Sequence, residues 1–480
     1  MKPNSHVHLI GVCGTAMASL AGLLQQRGHH VTGSDSAAYP PMSNLLQSLG
    51  ITILEPYAEQ NLQPAPDLVI VGNAISRGNV EVEYVLEHRL PFQSMAQVVH
   101  HEFLAARRSL VVAGTHGKTT TSSMLAWILA TAAEDQPRFA PSFLIGGVVE
   151  NFATSFRWLD TDDGARDHYF VIEGDEYDTA FFDKGPKFMH YFPHAMILTS
   201  VEFDHADIYH SLDEVKAAFK RLVNLVPRNG RVVACGDHEN VRECVAKAFC
   251  PVESYGFGEA CDWQIRNVRQ GEDGSRWGIF NRGKVWADVT MPLAGEHNAL
   301  NATAAAALAA GEGVAPTAVA RALASFRSVK RRLEIVDIVN GVTVVDDFAH
   351  HPTAIRETLR ALRSRFPASR LWAVLEPRSN TLRRNVFESE LVASLALADR
   401  VVLADVFRAA AIPEQERLHP IAVVEQVQKG GTPAALLADA DAIVEWLAPQ
   451  LASGDVVAIL SNGGFGNIYQ KLPDRLRSAP

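Results

Sequence analysis

The sequence predicts an α/β protein of three domains, each built on a mostly parallel sheet with flanking helices. Three observations lead there. The chain has 480 residues, too many for one core and suited to about three. Short apolar runs alternate with helical stretches along most of its length, the pattern of strands joined by crossover helices. Glycine-rich or polar turns follow several of these runs, where open parallel sheets bind their ligands. The expected divisions are 1–108, 109–328 and 329–480. The outer two read as Rossmann-like, doubly wound units, and a phosphate loop sets the middle one apart.

In chain order, His6–Val12 reads as a buried strand, followed by a glycine turn and a helical stretch from Met17 to Leu24. Val31–Ser34 and Leu68–Val71 are further strands. The second unit opens with an apolar run from Ser109 that feeds a tight turn and then a helix. Tyr169–Glu173 and Ala195–Thr199 are short buried strands, and Leu212–Val226 has helical periodicity. Gln264–Val289 alternates apolar and polar residues, as an antiparallel excursion does. Ala299–Ala310 is rich enough in alanine for a helix packed closely on a sheet. The third unit starts near Lys330-Arg331-Arg332 and has strands at Val342–Val345, Leu371–Leu375, Val401–Leu403 and Val456–Leu460. Thr131–Pro141 and the charged run Asp160–Asp167 are expected as loops.

Composition narrows the function. With 47% hydrophobic and 20% charged residues, and no apolar run long enough to span a bilayer, the chain reads as a globular protein. Its start lacks a signal-peptide profile. Cys13, Cys235, Cys244, Cys250 and Cys261 include no Cys-x-x-Cys pair, which points to reduced thiols in a cytoplasm. A formal net charge of −10 argues against nucleic acid as a partner. Any anionic ligand must then be held by local groups.

The strongest local signal is Gly114-Thr115-His116-Gly117-Lys118-Thr119-Thr120 after the apolar run. A strand, a Gly-rich turn and a helix opening at lysine aim backbone N–H groups at a polyphosphate. The centre is therefore P-loop ATPase-like. Lys118 can neutralise the β- and γ-phosphates of ATP, and the Thr119 hydroxyl can ligate Mg²⁺. The usual loop has a further glycine where Val112 stands.

Other constellations sit at strand ends. Glu173-Gly-Asp-Glu-Tyr177-Asp178 brings four carboxylates, and Glu173, nearest the strand, is the best Mg²⁺ ligand. Glu202-Phe-Asp-His205-Ala-Asp207 offers a second metal position. Asn298 opens the alanine-rich helix as a cap or a nucleotide contact, with the cap favoured. Asp346-Asp347-Phe-Ala-His350-His351-Pro352 ends a strand before a helix that starts at Pro352. Near the N-terminus, Gly11, Gly14 and Thr15 form a degraded dinucleotide fingerprint, because Cys13 and Ala16 replace glycines. Together with Ser34 and Asp35 that loop suits a nucleotide diphosphate, and it does not support a dehydrogenase.

In this order, these motifs resemble the Mur ligase family of peptidoglycan assembly over essentially the whole chain. The family's phosphate loop is the short form, which accounts for Val112. The resemblance is strongest to the branch that uses UDP-N-acetylmuramate. It implies an ADP-forming ligase that activates the lactyl carboxylate as an acyl phosphate, with ATP as co-substrate and Mg²⁺ as cofactor. It implies that Lys118, Glu173 and His205 are catalytic, with Thr119, Glu173 and His205 holding metal. Asn298, Arg331 and Asp347 would approach the nucleotide. Gly11, Cys13, Gly14, Thr15, Ala16, Ser34, Asp35, Asn73, Ala74 and Ser76 would hold the UDP-sugar. His351, Arg378, Ser379, Asn380 and Thr381 would meet the amine substrate.

Some members carry a carbamylated lysine after the Asp-His motif. Phe219 falls near that position with Lys220 beside it, so Glu173 with His205 is expected to suffice for the second metal. The stretches Tyr177–Lys184 and Glu376–Thr381 resemble the members of the family that use a murein tripeptide, which implies that peptide as the amine. Free L-alanine is the alternative, and a non-catalytic UDP-sugar sensor a remote one. The implied partners are small molecules, with no nucleic acid or membrane, and the expected state is a monomer or weak homodimer.

Overall fold

The structure, a computed structural model, describes residues 1–38, 42–160 and 168–478. Apart from Asp160, the charged run to Asp167 lies outside them. Three main sheets succeed one another along the chain.

The first sheet contains β1 (His6–Ile10), β2 (His30–Ser34), β3 (Thr52–Leu54), β4 (Leu68–Val71) and β5 (Phe92–Ser94) in the order β3-β2-β1-β4-β5. Every pairing in it is parallel. β1 sits between β2 and β4, so the strand order reverses beside it and leaves a crevice at its carboxyl end. The helix Thr15–Gln26 starts there, and eight of its residues from Met17 to Leu24 are buried.

The central sheet has ten strands: β6 (Arg108–Ala113), β7 (Ser142–Val149), β8 (Thr154–Arg157), β9 (Tyr169–Gly174), β12 (Ala195–Leu198), β13 (Arg231–Cys235), β14 (Val252–Gly256), β15 (Trp263–Gly271), β16 (Gly274–Asn281) and β17 (Lys284–Met291). Their order is β17-β16-β15-β14-β13-β12-β6-β9-β7-β8. A separate hairpin, β10 (Asp178–Ala180) with β11 (Asp183–Pro186), follows β9. β6 lies between β9 and β12, parallel to both. That neighbourhood brings the acidic strand end and the Asp-His loop to the phosphate loop. The expected excursion is real, as β15–β16 and β16–β17 pair antiparallel. Helices Lys118–Ala133 and Glu296–Gly311 pack against each other through small buried residues.

The third sheet runs β18 (Glu334–Val339), β19 (Val342–Asp347), β23 (Val456–Leu460), β20 (Leu371–Leu375), β21 (Arg400–Ala404), β22 (Ala434–Leu437). β18 is an antiparallel edge, and the rest is parallel. Apolar clusters cover both faces of the sheet. All five cysteines are buried as thiols. Among the described residues, no helix is long and apolar enough to cross a membrane.

Candidate active site

The phosphate loop is anchored from behind by the segment that follows β12. Thr115 N–H donates to the Ser200 carbonyl at 3.0 Å, and His116 N–H to Ser200 Oγ at 2.9 Å. The Thr199 hydroxyl donates to the His116 carbonyl, and Glu202 N–H to Thr115 Oγ1. Two glycines are required here. A Cβ on Gly114 would stand 2.2 Å from Thr199 Oγ1, and one on Gly117 2.6 Å from Asn301 Oδ1. Both residues have positive φ, 132° and 81°, where side chains are disfavoured. The helix Lys118–Ala133 therefore starts with its N–H groups facing outward from a rigid turn.

Lys118 folds back on this loop. Its Nζ donates to the Gly114 carbonyl at 2.7 Å and to Glu176 Oε2 at 2.7 Å. Burial opposes its charge, but Glu176 and Asp175 prevail and hold its pKa above the ordinary lysine value. Glu176 also meets His205 Nε2 at 3.3 Å. Burial works against the imidazolium, yet the hydrogen bond and charge of Glu176 outweigh it and lift His205 to about 9. Asp175 pairs with Lys187 at 2.6 Å. Glu176 is a functional residue that the sequence motif leaves without a role of its own, and its place three residues after Glu173 in the acidic strand end is the signal that marks it.

Thr119 and Glu173 meet as expected, with Thr119 Oγ1 donating to Glu173 Oε2 at 3.0 Å. Burial raises the Glu173 carboxyl despite Gly146 N–H, Lys118 and Thr119. A hydroxyl and a carboxylate are hard oxygen ligands. An added cation would relieve the cost of that buried charge, so the pair fits Mg²⁺. The structure places His205 against Glu176 and Asp175 instead, so the expected metal set divides into two groups, Thr119 with Glu173 and His205 with Glu176 and Asp175. Phe219 is fully buried against Phe188, and Lys220 pairs with Glu243.

Other predicted residues are placed differently. Asn298 does not cap its helix. Gly295 holds the cap position, and the buried Asn298 amide donates to the Ala294 carbonyl at 2.7 Å. Asn301, one turn on, is the amide that faces the phosphate loop. Arg331 is held inside the third domain by Asp346 at 2.9 Å, the Ser461 and Gly463 carbonyls and the Tyr469 hydroxyl. Its neighbour Arg332 stacks 5.0 Å from the Phe348 ring centre, and its charge reaches Glu173. Arg332 is thus the better placed of the two, because Arg331 spends its donors locally. Asp347 accepts from Leu333 N–H, Ala349 N–H and the Thr358 hydroxyl, and braces the domain junction. Thr120 is buried on its helix.

The third domain docks onto the Asp-His loop. Thr381 Oγ1 donates to Asp204 Oδ1 at 2.6 Å, and Asn380 Nδ2 to Asp207 Oδ2 at 2.8 Å. Tyr177 donates to the same Asp207 carboxylate. The Ser379 hydroxyl donates to the His350 carbonyl at 3.3 Å. His351 accepts Thr353 N–H as a helix cap, and its ring centre lies 4.6 Å from that of the tilted His116 ring, so it belongs to the phosphate-loop side. Thr381→Val should leave the buried Asp204 carboxylate and Ala206 N–H short of a partner. The docked arrangement should weaken by about 1–3 kcal/mol, seen as a larger radius of gyration by small-angle scattering. An unchanged radius would show that the other seam contacts suffice.

At the first sheet, Gly11 and Asp35 shape the loop after β1. Gly11 has φ 81°, and Cys13 N–H donates to Asp35 Oδ2 at 2.9 Å. Gly14 caps the helix that begins with Thr15 and Ala16. Ser34 is buried and bonds to Glu81, and Asn73, Ala74 and Ser76 follow β4 at the crevice. A cleft of about 420 Å³ is lined from all three domains by Asn73, Asp175, Tyr177, His205, Arg378 and Arg408, among others.

Comparison with known proteins follows the same three sections. Residues 6–107 match the Mur ligase family, catalytic domain. Residues 112–309 match the Mur ligase middle domain, and 331–463 the Mur ligase, glutamate ligase domain. The chain is 44% identical over 471 residues, 98% of each chain, to the UDP-N-acetylmuramate–L-alanyl-γ-D-glutamyl-meso-2,6-diaminoheptandioate ligase of Escherichia coli K12. It is 33% identical over 475 residues, 97% of each chain, to a UDP-N-acetylmuramate–L-alanine ligase of Acidithiobacillus ferrooxidans. Among solved structures, a murein peptide ligase from Psychrobacter arcticus 273-4 superposes with a TM-score of 0.75 at 37% identity and 99% coverage of both chains.

Proposed function

The chain belongs to the Mur ligase family, and from that premise we propose that it joins UDP-N-acetylmuramate to the recovered tripeptide L-alanyl-γ-D-glutamyl-meso-diaminopimelate, forming ADP and phosphate. It is a carbon–nitrogen ligase of peptidoglycan recycling. The Lys118–Glu176–His205 chain carries this conclusion, because it links the phosphate loop to a cleft shared by all three domains. The higher identity to the tripeptide ligase than to the alanine ligase, 44% against 33%, favours the peptide as the amine.

A carboxylate is a poor electrophile, so it must be activated before an amide can form. The lactyl carboxylate attacks the ATP γ-phosphorus, and ADP leaves. The free amine of the peptide's alanine then attacks the acyl carbon, and phosphate leaves as the amide forms. In the first step an anion approaches an anion. Lys118 offsets the repulsion as a fixed cation at the loop. Thr119 and Glu173 would hold Mg²⁺, which supplies further positive charge to the phosphate oxygens when bound. The outward N–H groups of the helix Lys118–Ala133 bind phosphate oxygens. The seam formed by Thr381 and Asn380 with Asp204 and Asp207 shields the acyl phosphate from water. The first domain orients the sugar nucleotide through the loop Gly11–Ala16 and the turn Asn73–Ser76. The buried thiols suit a reducing cytoplasm.

The test is a direct competition. Purified protein with ATP, Mg²⁺ and UDP-N-acetylmuramate is given either tripeptide or L-alanine, and ADP and amide product are measured. Tripeptide should be preferred in kcat/KM by about 100-fold or more, as expected when buried polar groups select a substrate. A preference for free alanine would overturn the choice of amine. No ADP with either amine would overturn the ligase itself.

A further inference from the structure

Lys187 is a second buried ammonium group in the cleft, beside the one on the phosphate loop. It follows β11, and the hairpin β10–β11 folds it back onto the end of β9. Its backbone N–H donates to the Tyr177 carbonyl at 3.1 Å, and Phe188 N–H donates to the Asp175 carbonyl at 3.3 Å. Phe188 is fully buried against Phe219, which fixes the chain there. At the hairpin tip, Phe182 packs edge-on against Phe92 of the first domain, with ring centres 5.0 Å apart. Lys187 thus stands on a rigid base that touches the domain expected to hold the sugar nucleotide.

Its side chain is 10% exposed, and Nζ donates to Asp175 Oδ2 at 2.6 Å. Among the described residues that is the only hydrogen bond of the ammonium. An ammonium has three donors, and a buried charge is costly unless they are filled. Lys187 lines the cleft with Asn73, Asp204 and His205, so a ligand there can take the other two. Lys118 binds Glu176 and Lys187 binds Asp175. Carboxylate oxygens of Asp175 and Glu176 and a ring nitrogen of His205 all lie within 4.8 Å of one another. Both lysines therefore serve one cluster.

We propose that Lys187 is a catalytic residue that holds the lactyl carboxylate of UDP-N-acetylmuramate for attack on ATP, and then the oxyanion that forms when the amine attacks. This rests on the ligase function proposed above. The carboxylate must reach the γ-phosphorus beside Lys118, so it enters this cluster. Asp175 and Glu176 repel it there, and Lys118 is committed to phosphate. Lys187 is the ammonium left to draw it in. One carboxylate oxygen bonds to phosphorus as the bond from phosphorus to ADP breaks. The other oxygen stays on Lys187 as the carbonyl. When the amine attacks, its lone pair forms the C–N bond and the C=O pair moves onto that oxygen. Lys187 then meets a full negative charge in a site closed to water, where a fixed donor has its largest effect. The C=O bond reforms as the C–O bond to phosphate breaks, and the amine's proton goes to the departing phosphate.

The experiment compares wild type with Lys187→Met, which keeps the length of the side chain and removes its charge. Calorimetric titration uses UDP-N-acetylmuramate and its lactyl methyl ester. The variant should bind the acid about tenfold to hundredfold more weakly and the ester within about twofold of wild type. In ligation at saturating substrates, kcat should fall about 10²- to 10³-fold while the KM of ATP stays within about twofold. Lys187→Arg keeps the charge and should recover part of both losses. Lys187→Met combined with Asp175→Asn removes the whole ion pair, and should show the same selective loss of acid binding if the single variant folds poorly. Equal weakening of acid and ester would overturn the assignment, as would a wild-type kcat in Lys187→Met or a change confined to the KM of ATP or of the amine. If wild type ligates alanine and not tripeptide, the choice of amine fails and this assignment stands, because both amines meet the same lactyl carboxylate. If wild type forms no ADP with either amine, the proposed function fails and takes the assignment with it.

Discussion

Lys118→Ala should abolish ATP-dependent ligation and leave UDP-sugar binding nearly intact. The lysine is the cation built into the phosphate loop, held 2.7 Å from the Gly114 carbonyl and from Glu176. Alanine keeps the helix, because alanine is the best helix former, and the glycine turn does not depend on the side chain. What disappears is fixed positive charge where negative charge gathers during phosphoryl transfer. Losses of about 10³-fold or more in kcat follow from removing such a group. The UDP-sugar loop lies in another domain, on another sheet. Calorimetric titration with UDP-N-acetylmuramate should give a Kd within about twofold of wild type, while ADP release falls to background. Full activity in this variant would remove the phosphate loop from the chemistry.

Glu176→Ala should have the second largest effect, and part of it should be repaired by ATP. Glu176 is almost fully buried and is the carboxylate partner of both Lys118 and His205. Removing it leaves two cations facing each other in a desolvated place. Loss of one member of a buried pair costs about 3–5 kcal/mol. Triphosphate oxygens can take over the lysine, so a non-hydrolysable ATP analogue should raise the melting temperature more in the variant than in wild type. An equal rise in both would show that Glu176 does not stand in for phosphate. The pH dependence supplies a second check. His205 titrates at about 9 in the folded protein against an ordinary 6.5. The stability from its charged form is full below about pH 6.5 and is lost as pH rises through about 9. In Glu176→Ala that loss between pH 6.5 and 9 should vanish.

Much of the fold was legible because its strands are short apolar runs with glycine or polar ends. β4 and β20 fall where periodicity puts them. β3 and β5 have three residues each, and β22 is only half-buried along its length. None of these has enough apolar pattern to stand out, and each lies at or near the edge of its sheet. At the site, Lys118 with Thr119 and Glu173 was legible because the lysine opens the helix after β6 and Glu173 stands at the end of β9. The split of His205 away from Glu173, the local use of Arg331 and the inward turn of Asn298 were not.

The sequence by itself determined that a phosphate loop opens the central domain, which strand ends carry acids, and which family these motifs resemble. A strand, a turn and a helix cap are closed by contacts within a few residues, so their chemistry is written locally. Only the tertiary structure decided which acid holds Lys118, since Glu176 lies 58 residues away and reaches it because β6 and β9 are neighbours. The same holds for the cleft between the domains. Arg378 and Arg408, which line it, follow the ends of β20 and β21, and parallel neighbours in a sheet bring together residues that spacing along the chain keeps apart.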